Sequence, residues 1–305
     1  VTAEPAPQST RLSVLIPFAI VTLIWGSTWI VIRDQLLVVP PSWSVTYRFT
    51  VAGVTMLGWA LLRGESLKMD ARGVGFAVLL GLAQFVLNFN LVYRSEQYIT
   101  SGVVAVVYAL LLVPNAVLAR VFLGQKMGRQ LVIGSAIAVA GVALLFVHEA
   151  RLSLVGPHAA LLGITIALGG VMCASVANVM QATSTAKAYP MATMLGWAML
   201  SGAALDGLFA LATVGAPVFD WRPSYAGGIL YLGVLGSAVS FSLYFRLIRT
   251  IGPAKAAYTG VLIPVIAMLF STLFEGYRWS WLAAGGAVLV VAGLVVALKA
   301  RRPNR

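Results

Sequence analysis

The sequence predicts an all-α integral membrane protein, and three observations carry that prediction. First, 60% of the 305 residues are hydrophobic and only 10% are charged, with a mean hydropathy of +0.93. A soluble chain is about 45–50% apolar and about 25% charged, and a soluble domain of this length has too little interior to hide the excess. Second, apolar stretches close to the ~20 residues that cross a bilayer recur along the chain. They are continuous runs, unlike the alternating strands of a barrel. Third, Lys and Arg gather in every other joint between those stretches.

Ten helices follow in order, at 12–32, 42–62, 73–93, 101–122, 130–147, 158–182, 190–213, 224–245, 255–274 and 280–298. Residues 1–11 form a tail, and 299–305 form a basic tail. The first run is too long for a signal h-region and lacks a small-residue cleavage site, so it is kept as a membrane helix. Short charged or Pro/Gly-containing joints separate the rest, none large enough for a soluble domain.

The N-terminus, the even-to-odd joints and the C-terminus hold Arg11; Arg63, Lys68, Arg72; Arg120, Lys126, Arg129; Lys187; Arg246, Arg249, Lys255; and Lys299, Arg301, Arg302, Arg305. The opposite joints hold Arg33, Arg94, Arg151, Arg222 and Arg278, which makes fifteen against five. The positive-inside rule then places both termini in the cytoplasm. The net charge of +12 reads as topology and attraction to anionic lipid, not as a nucleic-acid surface.

The halves repeat. A shift of 152 residues lays Asn88-Phe89-Asn90-Leu91 on Ser240-Phe241-Ser242-Leu243, Arg94 on Arg246, and Gly81 on Gly233. It also lays Gly134 on Gly286 and Gly141 on Gly293, while helices 1–2 align more loosely on 6–7, with Gly26 near Gly170 and Pro41 near Pro190. The repeats are 12–147 and 158–298. Five helices per half reverse the second half in the membrane, the inverted-repeat plan of secondary transporters, with a central cavity at the repeat interface.

Polar groups inside the spans supply the candidate site, because such groups face protein or water. Gln84 and Asn88 are i, i+4 on one helical face, and Asn90 lies on another. Ser240 is the repeat counterpart of Asn88. Tyr108 and Asn115 share a face at i, i+7; Tyr258 is the approximate counterpart of Tyr108; Asn178 and Gln181 are i, i+3. Trp25 and Trp29, at i, i+4, form an aromatic wall or a lipid contact. Arg48 is a carboxylate contact or a structural tie to helix-end carbonyls. Pro114 and Pro264 are hinges or static kinks. Trp43, Trp221, Trp279 and Trp281 read as an interfacial belt, and Asp206 as a solvated interface residue. The other acids from Asp34 to Glu275 fall at joints, so no midplane carboxylate is expected to couple protons.

Enzymes are poorly served. One cysteine, Cys173, excludes an internal disulfide or a cysteine-rich metal site, and the two histidines form no HExxH pair. No cofactor, nucleic acid or obligate protein partner is expected; the partners are a small-molecule substrate and the bilayer.

The residues Ile24-Trp25-Gly26-Ser27-Thr28-Trp29, Arg48 after Pro41, Thr100-Ser101-Gly102, Gly252-Pro253-Ala254, Pro114 and Pro264 together resemble the drug/metabolite transporter superfamily, in its ten-helix EamA-type branch. Leu123-Gly124-Gln125 stands where that family usually reads Leu-Gly-Glu. Within the branch the chain is most similar to bacterial YddG-type exporters of aromatic and other neutral amino acids. The resemblance implies a ten-helix basket in the bacterial inner membrane, exporting such metabolites from the cytoplasm. The scarcity of acids adds facilitated diffusion to the expectation, with a multidrug or lipophilic-cation exporter of the same fold as the alternative.

Overall fold

The computed structural model describes residues 8–124, 128–152, 157–244, 246–247 and 259–299, and among these there is no strand. The helices are α1 (Gln8–Gln35), α2 (Pro41–Leu62), α3 (Ala71–Ser95), α4 (Ser101–Leu123), α5 (Arg129–Leu152), α6 (Pro157–Ala182), α7 (Met191–Thr213), α8 (Pro223–Tyr244), α9 (Thr259–Phe274) and α10 (Trp281–Lys299). A single turn, Ser184–Lys187, joins α6 to α7. Seven of them, α1–α4 and α6–α8, are long and apolar enough to cross a membrane. The other three carry shorter apolar stretches, Val132–His148, Leu262–Phe274 and Trp281–Ala297.

Local chemistry sets the ends. Asp70 caps α3 by accepting from the Gly73 N–H at 2.8 Å, and Pro41 and Pro223 occupy first-turn positions where no N–H is needed. Gly124 closes α4 in the left-handed region at φ 66°, which a side chain would resist. Large apolar side chains such as Leu23, Trp59, Leu79, Leu208 and Val288 stay exposed, as a lipid-facing surface requires.

Two helices are not regular. α3 has a π segment at Leu82–Leu87 and α8 has one at Tyr231–Val239. Shifted by 152, the first falls inside the second. A 3₁₀ turn, Ala109–Leu111, interrupts α4 just before Pro114.

Small residues let the backbones of α5 and α10 meet. A Cβ on Gly141 would lie 2.6 Å from the Gly286 carbonyl, and one on Gly293 would lie 2.5 Å from the Gly134 carbonyl. Gly134 therefore packs on Gly293 and Gly141 on Gly286, so the two helices run antiparallel. The same reciprocity joins α2 to α7, where Gly53 meets Leu200 and Gly196 meets Leu57.

Three expectations change. Trp43 is only 5% exposed and stacks on Tyr47 at 5.8 Å, so it packs inward and is no belt residue. Asp206 is wholly buried, on the α7 face that it shares with Gly202, Ala203 and Ala210. Those small neighbours let α7 approach α2 and α3 closely enough to exclude water. Glu96, read as an ordinary joint residue, is also wholly buried. Trp221 and Trp281 are exposed at helix ends.

Candidate functional site

A cavity of about 200 Å³ lies between α1, α2, α3, α4, α6, α8, α9 and α10. Its wall contains Trp25, Thr28, Trp29 and Ile32 of α1, Arg48 of α2, and Gln84, Asn88, Phe89 and Val92 of α3. From α4 come Tyr108 and Asn115 with apolar neighbours; from α6, Asn178; from α8, Phe241 and Tyr244; from α9, Thr259, Ile263 and Pro264.

The aromatic side is built from both halves. The Trp25 ring lies 5.5 Å from Phe241 and 5.1 Å from Tyr244, in edge and tilted geometries that the ring quadrupoles favour. Its indole N–H donates to the Gly236 carbonyl at 3.0 Å. Trp29 sits 5.3 Å from Tyr108. The Tyr108 hydroxyl donates to Asn88 Oδ1 at 2.7 Å, and the Asn88 amide donates to the Gln84 carbonyl at 3.3 Å. Across the cavity Asn178 Nδ2 donates to Asn115 Oδ1 at 3.4 Å.

Arg48 is the charged group of the wall among the described residues. It is 2% exposed. Its Nε donates to Ser237 Oγ at 3.1 Å, and its guanidinium lies 4.4 Å from the Phe89 ring centre and 5.3 Å from that of Phe49. No described carboxylate lies within ion-pair distance, and Nη1 has no hydrogen-bond partner. Gln84 Oε1 and Trp29 Nε1 are likewise buried without partners.

The π segments explain how these groups reach the wall. An i→i+5 turn rotates the residues after it and frees backbone groups. Ser237 Oγ donates to the Leu232 carbonyl, five residues back, at 2.9 Å, and so presents its lone pair to Arg48. Gln84 sits within the equivalent segment of α3.

Of the residues singled out from sequence, the structure brings Trp25, Trp29, Gln84, Asn88, Tyr108, Asn115, Asn178, Arg48 and Pro264 onto one wall. Ser240 lies off it: the residue is buried and its hydroxyl donates to the Leu235 carbonyl at 2.7 Å. A serine is too short to follow Asn88 into the cavity. Gln181 lies one turn beyond Asn178 and Pro114 one residue before Asn115, both off the lining. Tyr258 lies outside the described residues. Phe89, Phe241 and Tyr244 were not singled out, although the repeat pairs Phe89 with Phe241.

Asn90, on the other face of α3, joins a separate network. Its Nδ2 donates to Asp206 Oδ1 at 2.6 Å, its Oδ1 accepts from Ser42 at 2.7 Å, and Thr46 donates to Asp206 Oδ2 at 3.3 Å. Glu96, past the end of α3, has its carboxyl pushed well above the usual range by burial and by Glu275, against the pull of Arg33 and Arg48. Neither Asp206 nor Glu96 lines the cavity. On the surface beyond the spans, Arg222 joins Asp220 at 2.5 Å and Asp34 at 3.8 Å. Its backbone N–H and guanidinium hold the Asp220 carboxyl below its ordinary value. No group of three or more His, Cys, Asp or Glu that could hold a metal occurs among the described residues.

Apolar spans around a part-polar chamber of about 200 Å³ define a polytopic membrane protein able to enclose one small solute. Comparison with known proteins narrows this further. The model of the EamA-like transporter family matches residues 12–147 and again 161–299, so the chain belongs to that family. It is accordingly a membrane transporter and not an enzyme. It is similar to the uncharacterized inner membrane transporter YedA of Escherichia coli strain K12, 32% identical over 90% of this chain and 88% of that one. It is similar, too, to protein PagO of Salmonella typhimurium, 24% identical over 95% of this chain and 94% of that one. A crystal structure shares the fold, with a TM-score of 0.69, 19% identity, and coverage of 96% of this chain and all of the other.

Proposed function

We propose that the protein is a secondary transporter that exports small amphipathic metabolites, foremost aromatic and other neutral amino acids, across a bacterial inner membrane. In this reading ten helices cross the bilayer as two inverted five-helix repeats, with both termini in the cytoplasm. The reciprocal glycine contacts support the inversion. Gly134 is equivalent to Gly286 and Gly141 to Gly293, yet Gly134 packs on Gly293 and Gly141 on Gly286. That is the pattern of a local two-fold axis that exchanges α5 and α10 and reverses their direction. The matching π segments support it as well.

The observation that carries the substrate reading is the composition of the wall. Rings of Trp25, Trp29, Phe241 and Tyr244 share about 200 Å³ with the amides of Gln84, Asn88, Asn115 and Asn178. Amides donate and accept, which suits the two ends of an amino acid. The volume is below the ~300–1,000 Å³ of sites for drug-sized ligands. A lipophilic cation would also meet the positive charge of Arg48.

Accessibility supports the direction. The wall is buried at Arg48, Gln84, Asn88 and Ala105 but partly exposed at Asn115, Asn178, Tyr244 and Ile263. The exposed end is that of the Lys/Arg-rich joints, so the cavity is reached from the cytoplasmic side. Alternating access then requires the two repeats to rock, with the 3₁₀ turn before Pro114 and the in-helix Pro264 as bending points. No carboxylate among the described residues lines the wall, which supports movement down the substrate gradient without an exchanged proton.

Counterflow in proteoliposomes containing only this protein tests the reading. Radiolabelled phenylalanine, tryptophan, leucine and alanine are expected to exchange, aromatic ones fastest, with and without an imposed proton gradient. Absence of exchange across a broad amino-acid panel, with the protein demonstrably folded, would overturn it.

A further inference from the structure

We propose that the buried end of the cavity is a carboxylate subsite centred on Arg48, and that the carrier takes small monocarboxylates with an aromatic or apolar tail whether or not they carry an α-amino group. The proposal rests on the carrier reading above and deepens it by naming the group that is recognised.

The charges of the wall are one-sided. Arg48 brings a guanidinium, and no described wall residue brings a carboxylate. Tyr93 hydrogen-bonds to Arg48 and Glu96 acts on it electrostatically, but neither lines the cavity, and no described carboxylate lies within 4 Å of the guanidinium. A buried cation without a counterion is costly, and two hydroxyls with two ring faces offset that cost only in part. Ser237 takes one N–H while Nη1 has no acceptor. The planar fork of an arginine matches a carboxylate with two parallel bonds, which a single serine cannot supply.

Geometry places a ring beside that charge. Two consecutive residues of the α8 π segment hold the two parts: the Gly236 carbonyl takes the Trp25 indole N–H, and Ser237 takes Arg48 Nε. Gly236 also leaves the gap open. A Cβ there would lie 3.6 Å from Arg48 Nη2 and 3.0 Å from the Thr28 methyl. Ring and guanidinium thus stand side by side, so one small solute can offer a ring to the first and a carboxylate to the second.

An ammonium finds no charged counterpart among the described residues of the wall. The buried wall acceptor that lacks a partner is the neutral Gln84 Oε1. A neutral amide does little more than replace the water that a buried ammonium loses. The amine is therefore dispensable, and the carboxylate is not.

Three compounds with one ring separate the claims: phenylalanine, 3-phenylpropanoate and phenethylamine. Isothermal titration of the purified full chain in detergent, and competition against labelled phenylalanine in counterflow, are the readouts. 3-Phenylpropanoate is expected to bind within about threefold of phenylalanine or tighter, and phenethylamine at least tenfold more weakly. Arg48→Lys keeps the charge but loses the fork, and is expected to weaken 3-phenylpropanoate by about tenfold, the scale of one charged hydrogen bond. If Arg48→Lys fails to fold, the three-compound order on the native protein still decides. Phenethylamine binding as tightly as 3-phenylpropanoate, or no binding by 3-phenylpropanoate, overturns the subsite. Carboxylate-selective binding without exchange of any labelled compound overturns the carrier reading and leaves the subsite standing.

Discussion

Two buried polar groups flank α3 and solve the problem of burial in opposite ways. On one face, Asn90, Asp206, Ser42 and Thr46 hydrogen-bond to one another, and Asn90 also donates to the Val86 carbonyl at 3.0 Å. On the other face Arg48, Gln84 and Trp29 each keep an atom without a partner. Both sets are buried in a lipid-embedded bundle, where an unmet polar group costs several kcal/mol unless something answers it. The first set answers itself and holds α2, α3 and α7 together. The second borders a cavity, and a solute is what can answer it. Charge within the membrane is thus not one signal: the Asp206 carboxylate is met by the architecture, and in the proposed subsite the unmet part of the Arg48 guanidinium is left for a ligand.

The comparison breaks most sharply at Asp206. Asp206→Ala takes the acceptor from one N–H of the buried Asn90 amide, at about 1–3 kcal/mol, while Asn90 keeps the Val86 carbonyl and Thr46 keeps the Ser42 carbonyl at 2.8 Å. The melting temperature in detergent should fall by several degrees, with Asp206→Asn falling less, while exchange per folded molecule is retained. Loss of flux with an unchanged melting temperature would move Asp206 from the scaffold to the transport machinery.

A finer test uses two asparagines two residues apart. Asn90→Ala should lower stability by about 1–3 kcal/mol through its buried partners and leave substrate affinity alone. Asn88→Ala frees the Tyr108 hydroxyl into a cavity that water can fill, so stability should change little and substrate affinity should drop. The melting curve and the counterflow half-saturation, measured on both variants, should rank them in opposite orders.

Much of this was legible before any coordinates. The i, i+4 spacing of Gln84 and Asn88, and the different face of Asn90, follow from 3.6 residues per turn, and the π segment beside them did not upset that division. Gly134, Gly141, Gly286 and Gly293 allow close helix packing, but which helices they bring together is read only from the fold. What escaped was the environment of the acids. Asp206 sits near a helix end in the sequence, and distance along one helix says nothing of the neighbours that bury it. Gly202, Ala203 and Ala210 were the available signal, since small residues on the same face mark a tight contact. Ser240 escaped for a different reason: repeat equivalence carries backbone position but not side-chain length. Phe241 escaped because apolar residues are plentiful and the polar ones drew the attention, although its repeat partner Phe89 adjoins Asn88.

The smallest effect separates the two tryptophans of α1, which differ in one hydrogen bond. The Trp25 N–H is held by Gly236, next to the serine that orients Arg48. The Trp29 N–H is buried without a partner on the same wall. Phenylalanine keeps a ring in each place and removes only the donor and part of the volume. Trp25→Phe should therefore cost about 1 kcal/mol of stability, the net worth of an ordinary hydrogen bond, and should loosen Arg48 through the freed Gly236 carbonyl. Trp29→Phe breaks no bond within the protein and should melt with the native chain. If the Trp29 N–H donates to a bound solute, its loss weakens affinity by roughly two- to tenfold, the same bond seen from the ligand side. Titration of both variants with phenylalanine checks this: equal melting losses would show that the unpartnered N–H of Trp29 belongs to the scaffold after all.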